Sequence, residues 1–495
     1  MSSEPKTYEG LKQPVVDINK DKLGLIRSLL PKIPLVARVA LFHILGLSEQ
    51  SRYLDLRSEI TTAVLRAYLS PSKLISISAS QRLTIQDVEV KGRIWVSRYK
   101  CPAPSDRGIQ DAVASAIEGL QSPKEDGKPE LKMPKVVGVE AEWQGYRAGA
   151  RRETRLPDIS EKEKYDEMMK EVTTPATILY LHGGAFWLMD PATHRPTTKT
   201  LAKMCGGRCY SVRYRLAPQH AFPAALMDAL VSYLGLLYPP PGAFHDPIPA
   251  EHIVFAGDSA GGNLALALIQ TLLEFHRQGA TVLWQGEQRS VPLPAGAAVS
   301  SPWMDITHSS PSCETNASHD YLPPLTTQLA FEPTRPHCAA WPSTPPRTMI
   351  YAEDALVTHP LVSLLLAPSW HGAPPLYMCT GRELLADEDK FTATRFHEDG
   401  VPVVYEEYEG MPHCFALLFA NMPGGKRCLE GWAGFVRRVV DGEKVQSSFT
   451  LIKAKTLDEV EVEPQGLRPY EQQEIRERVE RRMRLGWLPE GAAKL

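Results

Sequence analysis

The sequence predicts an α/β fold, a mostly parallel sheet flanked by helices, and three observations carry that prediction. From about residue 176 to 440, short apolar runs alternate with longer stretches of helical spacing, as βαβ units do. The runs are nearly continuous in apolar residues, the pattern of strands buried on both faces. Two of them end in glycine-rich turns.

In chain order the strand candidates are TILYL (177–181), CYSVRY (209–214), HIVFAG (252–257), AGAAVS (295–300), PLYMCTG (375–381) and VPVVYEEY (401–408). Between them, 225–237, 262–278, 387–400 and 428–440 have apolar residues at helical spacing. Residues 1–90 read mainly as helices, with SEITTAVLRAYL (58–69) the clearest, and are assigned to a helical cap segment. The core is assigned to 91–440, with a Pro-, Ser- and Thr-rich insertion at 302–350 contributing to the cap. Residues 120–136 and 152–174, rich in Lys, Glu and Pro, read as solvated insertions. Residues 441–495 form a charged extension, with a helix candidate at 468–487.

The bulk chemistry excludes several classes. A net charge of −3 with no long basic run gives no case for nucleic acid. The eight cysteines show neither CxxC pairs nor scaffold density, so reduced thiols are expected and no metal site. The N-terminus lacks the order of a signal peptide, and a cytoplasmic location is the default expectation. The apolar stretch IPLVARVALFHILGL (33–47) is shorter than a membrane span and contains Arg38 and His43. It reads as an amphipathic helix packing on the core or as a lid, with weak peripheral membrane contact as the lesser use.

GDSAG (257–261) places Ser259 between a strand candidate and a helix candidate. Such a match arises by chance about once in six chains of this length, so its setting decides. A nucleophilic serine at a strand-to-helix turn must stand clear of the sheet, and glycines two positions either side relieve the crowding. The following helix aims its positive end at the developing negative charge. Upstream, YLHGGAFW (180–187) ends another strand, and the N–H groups of Gly183, Gly184 or Ala185 could join that of Ala260 in an oxyanion site. Downstream, His413 follows a strand in YEGMPHCF, and Glu383 follows another in CTGRELLADED, with Asp387 and Asp389 as alternative acids. Glu383 stands two residues past the strand end, where a triad acid must lie; the aspartates begin the next helix, where capping already gives them a role. The order Ser…acid…His is that of α/β-hydrolases.

These residues resemble the hormone-sensitive lipase-like family of α/β-hydrolases, which includes carboxylesterases and arylacetamide deacetylases. The likeness rests on HGGAFW, YRLAPQHAFPAALMDA (214–229), GDSAGGNLA, HPLVSLLLAP (359–368) and the GRELLADED…MPHCF pair. It implies an eight-stranded core with a helical cap and a Ser259–Glu383–His413 triad. In that family a second aspartate lies four residues after the acid, which matches Asp387 to Glu383. The chain departs from the pattern in having Ala185 for a third glycine, Cys414 for the glycine after the histidine, and glutamate for the usual aspartate. Its long insertions and tail resemble those of decorated fungal members. The leading function is a serine hydrolase of small, apolar carboxylic esters, without organic cofactor or metal. An acyltransferase, amidase or deacetylase on the same acyl-enzyme is the neighbouring reading. A non-catalytic binding protein is the alternative from another class, set back by the complete set of candidate residues.

Overall fold

The computed structural model describes residues 30–70, 74–121 and 132–484. Its strands are β1 (Ile94–Cys101), β2 (Val139–Tyr146), β3 (Thr177–Leu181), β4 (Arg208–Arg213), β5 (Ile253–Asp258), β6 (Val282–Trp284), β7 (Glu287–Arg289), β8 (Gly296–Ser300), β9 (Leu376–Gly381), β10 (Val403–Tyr408), β11 (Ser448–Ile452) and β12 (Glu459–Glu461). Ten of them form one sheet in the order β1-β2-β4-β3-β5-β8-β9-β10-β11-β12, and β6 and β7 make a separate hairpin. Pairing is parallel from β4 through β11 and antiparallel at both margins. The central strands β3, β5, β8 and β9 are buried along their whole length. Continuous burial follows from helices lying on both faces: Ala224–Leu237 and Ala260–Gln278 belong to one apolar cluster, Pro423–Val440 to the other.

β3 coincides with the expected run, and the other five expected strands lie within one or two residues of β4, β5, β8, β9 and β10. Three features differ from the sequence reading. The antiparallel pair β1–β2 lies within the assigned core but ahead of its first expected strand. Residues beyond 441 add β11 alongside β10, so that part of the tail continues the sheet. Within 152–174, Glu161–Met169 is a helix that buries Tyr165 and Met168, capped by reciprocal hydrogen bonds between Ser160 and Glu163. Of the segment 120–136, residues 122–131 lie outside the described residues, as do 1–29 and 485–495.

The N-terminal helices Ile33–Ile44, Leu56–Tyr68 and Ile77–Thr84 meet the 302–350 insertion through polar contacts. Arg66 Nη2 donates to the Ser318 carbonyl at 2.7 Å and Arg66 Nε to the Asp320 carbonyl at 2.8 Å. Arg335 donates to the Ile75 carbonyl at 3.1 Å. Among the described residues no helix is long and apolar enough to cross a membrane.

Candidate active site

Four strand ends supply the site, and each is shaped by local chemistry. β5 runs directly into the helix Ala260–Gln278, with Ser259 between them at φ 52° and ψ −123°. A residue bearing a β-carbon rarely adopts that backbone, and the surroundings enforce it. A β-carbon on Gly257 would meet Gly261 and the Leu181 carbonyl at 2.5–2.6 Å, and one on Gly261 would lie 2.0 Å from that carbonyl. Only glycines let the turn pack this closely on the end of β3. Ser259 N–H donates to the Ser300 carbonyl (3.1 Å), and its own carbonyl accepts from Trp303 N–H and Asn263 N–H (both 3.0 Å). The Asn263 amide in turn donates to the carbonyls of Trp303 (2.7 Å) and Val362 (3.1 Å), binding the helix to the segments after β8 and before β9.

The loop after β3 crosses the same corner. Gly184, Ala185 and Phe186 have φ of 104°, 53° and 66°, three left-handed residues in succession. Ala185 therefore holds a conformation that a glycine would adopt more easily. Packing of its neighbour offsets this, since the Phe186 ring stacks on Tyr351 with centroids 3.5 Å apart. Among the described residues the N–H groups of Gly184, Ala185 and Ala260 have no acceptor. Gly183 differs: its N–H donates to Asp258 Oδ1 at 3.2 Å. That bond removes Gly183 from the candidate oxyanion donors.

Asp258 is a fixed point that sequence reasoning missed. It also accepts from Tyr180 Oη (2.8 Å) and faces His194 Nε2 at 3.2 Å. Burial opposes its charge, but His194 and these hydrogen bonds hold the carboxyl below its ordinary range. A buried carboxylate thus binds the loop after β3 to the turn after β5.

Glu383 and His413, on the loops after β9 and β10, are hydrogen-bonded through Glu383 Oε2 and His413 Nδ1. Glu383 Oε1 accepts from Thr380 Oγ1 (2.6 Å) and Gly381 N–H (3.3 Å), and the residue is fully buried. Burial disfavours a charged imidazole at 413, yet Glu383, followed by Asp320 and Asp258, outweighs it and raises the His413 pKa above its ordinary value. Asp387 lies elsewhere: its carboxylate accepts from Ser312 N–H at 2.9 Å. Burial and the Glu383 charge push the Asp389 carboxyl far above the usual range.

Ser259 Oγ is not hydrogen-bonded to His413 in this structure. His413 Nε2 faces Cys414 Sγ at 3.3 Å. Cys414 sits at φ 49° and ψ 34°, which explains why glycine is the usual occupant after such a histidine.

Asp320, from the 302–350 insertion, is the second residue the sequence did not reveal. Its Oδ1 accepts from Tyr321 N–H (2.7 Å) and His413 N–H (3.3 Å), and its Oδ2 from Leu384 N–H (2.9 Å). One carboxylate therefore fastens the Glu383 loop to the His413 loop. Asp320, Glu383 and His413 bring one donor atom each within 4.8 Å of one another, a set whose types would suit a cation. These hydrogen bonds already account for the arrangement. Asp320→Asn would turn an amide N–H₂ toward Leu384 N–H. The expected result is a kcat lowered about 10- to 100-fold with KM little changed, as for other misplaced catalytic groups. The acid limb of the pH profile should also move down, since Asp320 helps to raise the His413 pKa. Stopped-flow kcat against pH checks both, and an unchanged profile would restrict Asp320 to folding.

Residues 178–417 match the alpha/beta hydrolase fold family. An acetyl-hydrolase of Streptomyces hygroscopicus is 32% identical over 262 residues, spanning 53% of this chain and 75% of that protein. An esterase of Acinetobacter venetianus is 28% identical over 271 residues, spanning 54% and 77%. A solved esterase of the bacterial hormone-sensitive lipase family is similar over 68% of this chain and 99% of its own, with 24% identity and a TM-score of 0.45.

Proposed function

The chain belongs to the α/β-hydrolase family and is a carboxylic ester hydrolase; from that premise we propose that it is of the hormone-sensitive lipase-like kind and that Ser259, His413 and Glu383 carry the reaction through an acyl-enzyme. The observation that carries the reading is the convergence of a strained, half-exposed Ser259, a buried Glu383–His413 pair and three N–H groups without acceptors.

Ser259 Oγ attacks the ester carbonyl carbon, and His413 Nε2 takes the hydroxyl proton. Cys414 Sγ now faces that nitrogen, but a thiol is a weak partner, and catalytic hydrogen bonds tighten when substrate is bound. The carbonyl oxygen, now negative, is received by the N–H groups of Gly184, Ala185 and Ala260, at the positive end of a 19-residue helix. The C–O bond to the alcohol breaks as His413 returns the proton to the leaving oxygen. Water, activated by the same nitrogen, then releases the acid and restores Ser259. Glu383 keeps the imidazole in the tautomer with Nε2 free and stabilises its cation.

The proposed substrate is a small ester with a short acyl group, a reading supported by the acetyl-hydrolase among its relatives. A cytoplasmic site of action accompanies it, supported by eight cysteines that all remain free thiols. A series of nitrophenyl esters from acetate to dodecanoate tests this. Turnover should fall with acyl length, and a fluorophosphonate should label Ser259. A maximum at the longest chain would overturn the short-acyl reading; labelling elsewhere would overturn the nucleophile.

A further inference from the structure

The helix Ile33–Ile44 buries none of its residues. Its inner side, with Leu35, Val36, Val39 and Ala40 half-buried, lies toward the helix Leu56–Tyr68, and the pair is fastened where His43 Nδ1 meets Glu59 Oε2 at 2.5 Å. The outer side is equally apolar and open. Ile33, Leu41, Phe42, Ile44, Leu45 and Leu47 are all exposed, Ile44 to 72% and Leu47 to 66%. Among the described residues, eleven large apolar side chains stand exposed between 30 and 83, against four in the rest of the chain. Such clustering is not the scatter of single apolar residues that any surface shows. A run of side chains this size exposes on the order of several hundred Å², enough to mark an interaction surface.

Charge selects the partner. Residues 30–47 contain Lys32 and Arg38 and no acidic residue. Lys32 is engaged with the Ala67 carbonyl at 3.2 Å, whereas Arg38 is exposed and has no ion-pair partner among the described residues. A 12-residue helix is about 18 Å long, too short to span a bilayer. A helix apolar around its circumference, short, cationic and uncovered on one side fits the headgroup boundary of a lipid surface.

We propose that the outer face of Ile33–Ile44, continued by Leu45 and Leu47, docks this protein on anionic lipid surfaces. The helix lies flat, its apolar face enters the acyl boundary, and Arg38 reaches headgroup phosphate. The docking requires no catalysis and is a property of this face alone.

Co-sedimentation of the full chain with vesicles tests it. Vesicles of phosphatidylcholine with one-third phosphatidylglycerol should carry the protein down, and phosphatidylcholine alone should carry less. The double variant Leu41→Glu/Ile44→Glu should lose binding about ten-fold or more, while its turnover of nitrophenyl acetate stays at the wild-type level. Arg38→Gln should lose about five-fold on the anionic vesicles only. Ser259→Ala should bind as the wild type does, which separates docking from the ester-hydrolase reading. Wild-type protein left in the supernatant with both vesicles overturns the proposal, as does equal sedimentation of the double variant. Light scattering supplies the remaining arm: if the double variant halves the particle mass and vesicles bind neither form, the face belongs to a second copy of this chain.

Discussion

Replacing Ser259 by alanine is expected to lower kcat/KM for nitrophenyl acetate by about 10⁶-fold, the scale on which a serine hydrolase loses activity with its nucleophile. Fluorophosphonate labelling should vanish with it. Residual turnover would come from the N–H groups of Gly184, Ala185 and Ala260, which the substitution leaves in place. A comparison with Ser259→Gly adds a stability measurement to the kinetic one. At φ 52° and ψ −123° the backbone of residue 259 stores strain on the order of 1–3 kcal/mol for any residue with a β-carbon. Alanine keeps that strain and glycine relieves it, less about 0.5–1 kcal/mol for the added freedom of the unfolded chain. Both variants should be inactive, and the glycine variant should be the more stable by about 1 kcal/mol, read from urea midpoints at equal slope. If the alanine variant keeps turnover within ten-fold of wild type, Ser259 is not the nucleophile. If glycine brings no gain, the turn is not a store of strain.

The sheet centre and the candidate triad were legible because their signals are local. TILYL is a strand from end to end, and the turn from β5 into its helix occupies five consecutive residues, so one window of sequence contains both strand and nucleophile. Glu383 could be preferred to Asp387 and Asp389 because its distance from a strand end is countable along the chain. The features that escaped are joined only in space. β1 and β2 pair across a helix, Gly108–Leu120, so no hairpin turn announces them. β11 follows a charged stretch whose composition resembles solvent-exposed tail. Asp320 lies in a segment rich in Pro, Ser and Thr, where nothing periodic says which carboxylate turns inward. Its role depends on Leu384 and His413, 64 and 93 residues away. Ile33–Ile44 reads as amphipathic in the sequence, but the sequence does not say whether its outer face has a neighbour.

Glu383→Gln is expected to lower kcat by about 10⁴-fold, as the analogous change does in a serine protease, with KM little altered. The hydrogen bonds around the side chain say why. Glu383 Oε1 accepts from Thr380 and Gly381, so the oxygen of a glutamine would keep that position. Its N–H₂ would then face His413 Nδ1, where wild-type Oε2 accepts a proton. The imidazole can answer only by offering a lone pair at Nδ1 and moving its proton to Nε2. A protonated Nε2 cannot receive the Ser259 proton, so the fold survives and the base is lost. The remaining activity should carry a displaced pH profile. In the wild type, Glu383 raises the His413 pKa above the ordinary imidazole value, so turnover falls as pH drops through that raised value. Without the carboxylate, burial lowers the pKa again, countered only by Asp320 and Asp258, and the acid limb moves to lower pH. Asp387→Asn keeps a side-chain oxygen able to accept from Ser312 N–H, so it should cost little stability and leave kcat and the acid limb in place. Measuring kcat from pH 4 to 9 for the three proteins, with circular dichroism as a check on folding, separates the acids. A collapse in Asp387→Asn with Glu383→Gln near wild type would reassign the acid. A loss in Glu383→Gln with an unmoved acid limb would mean that Glu383 orients His413 without setting its charge.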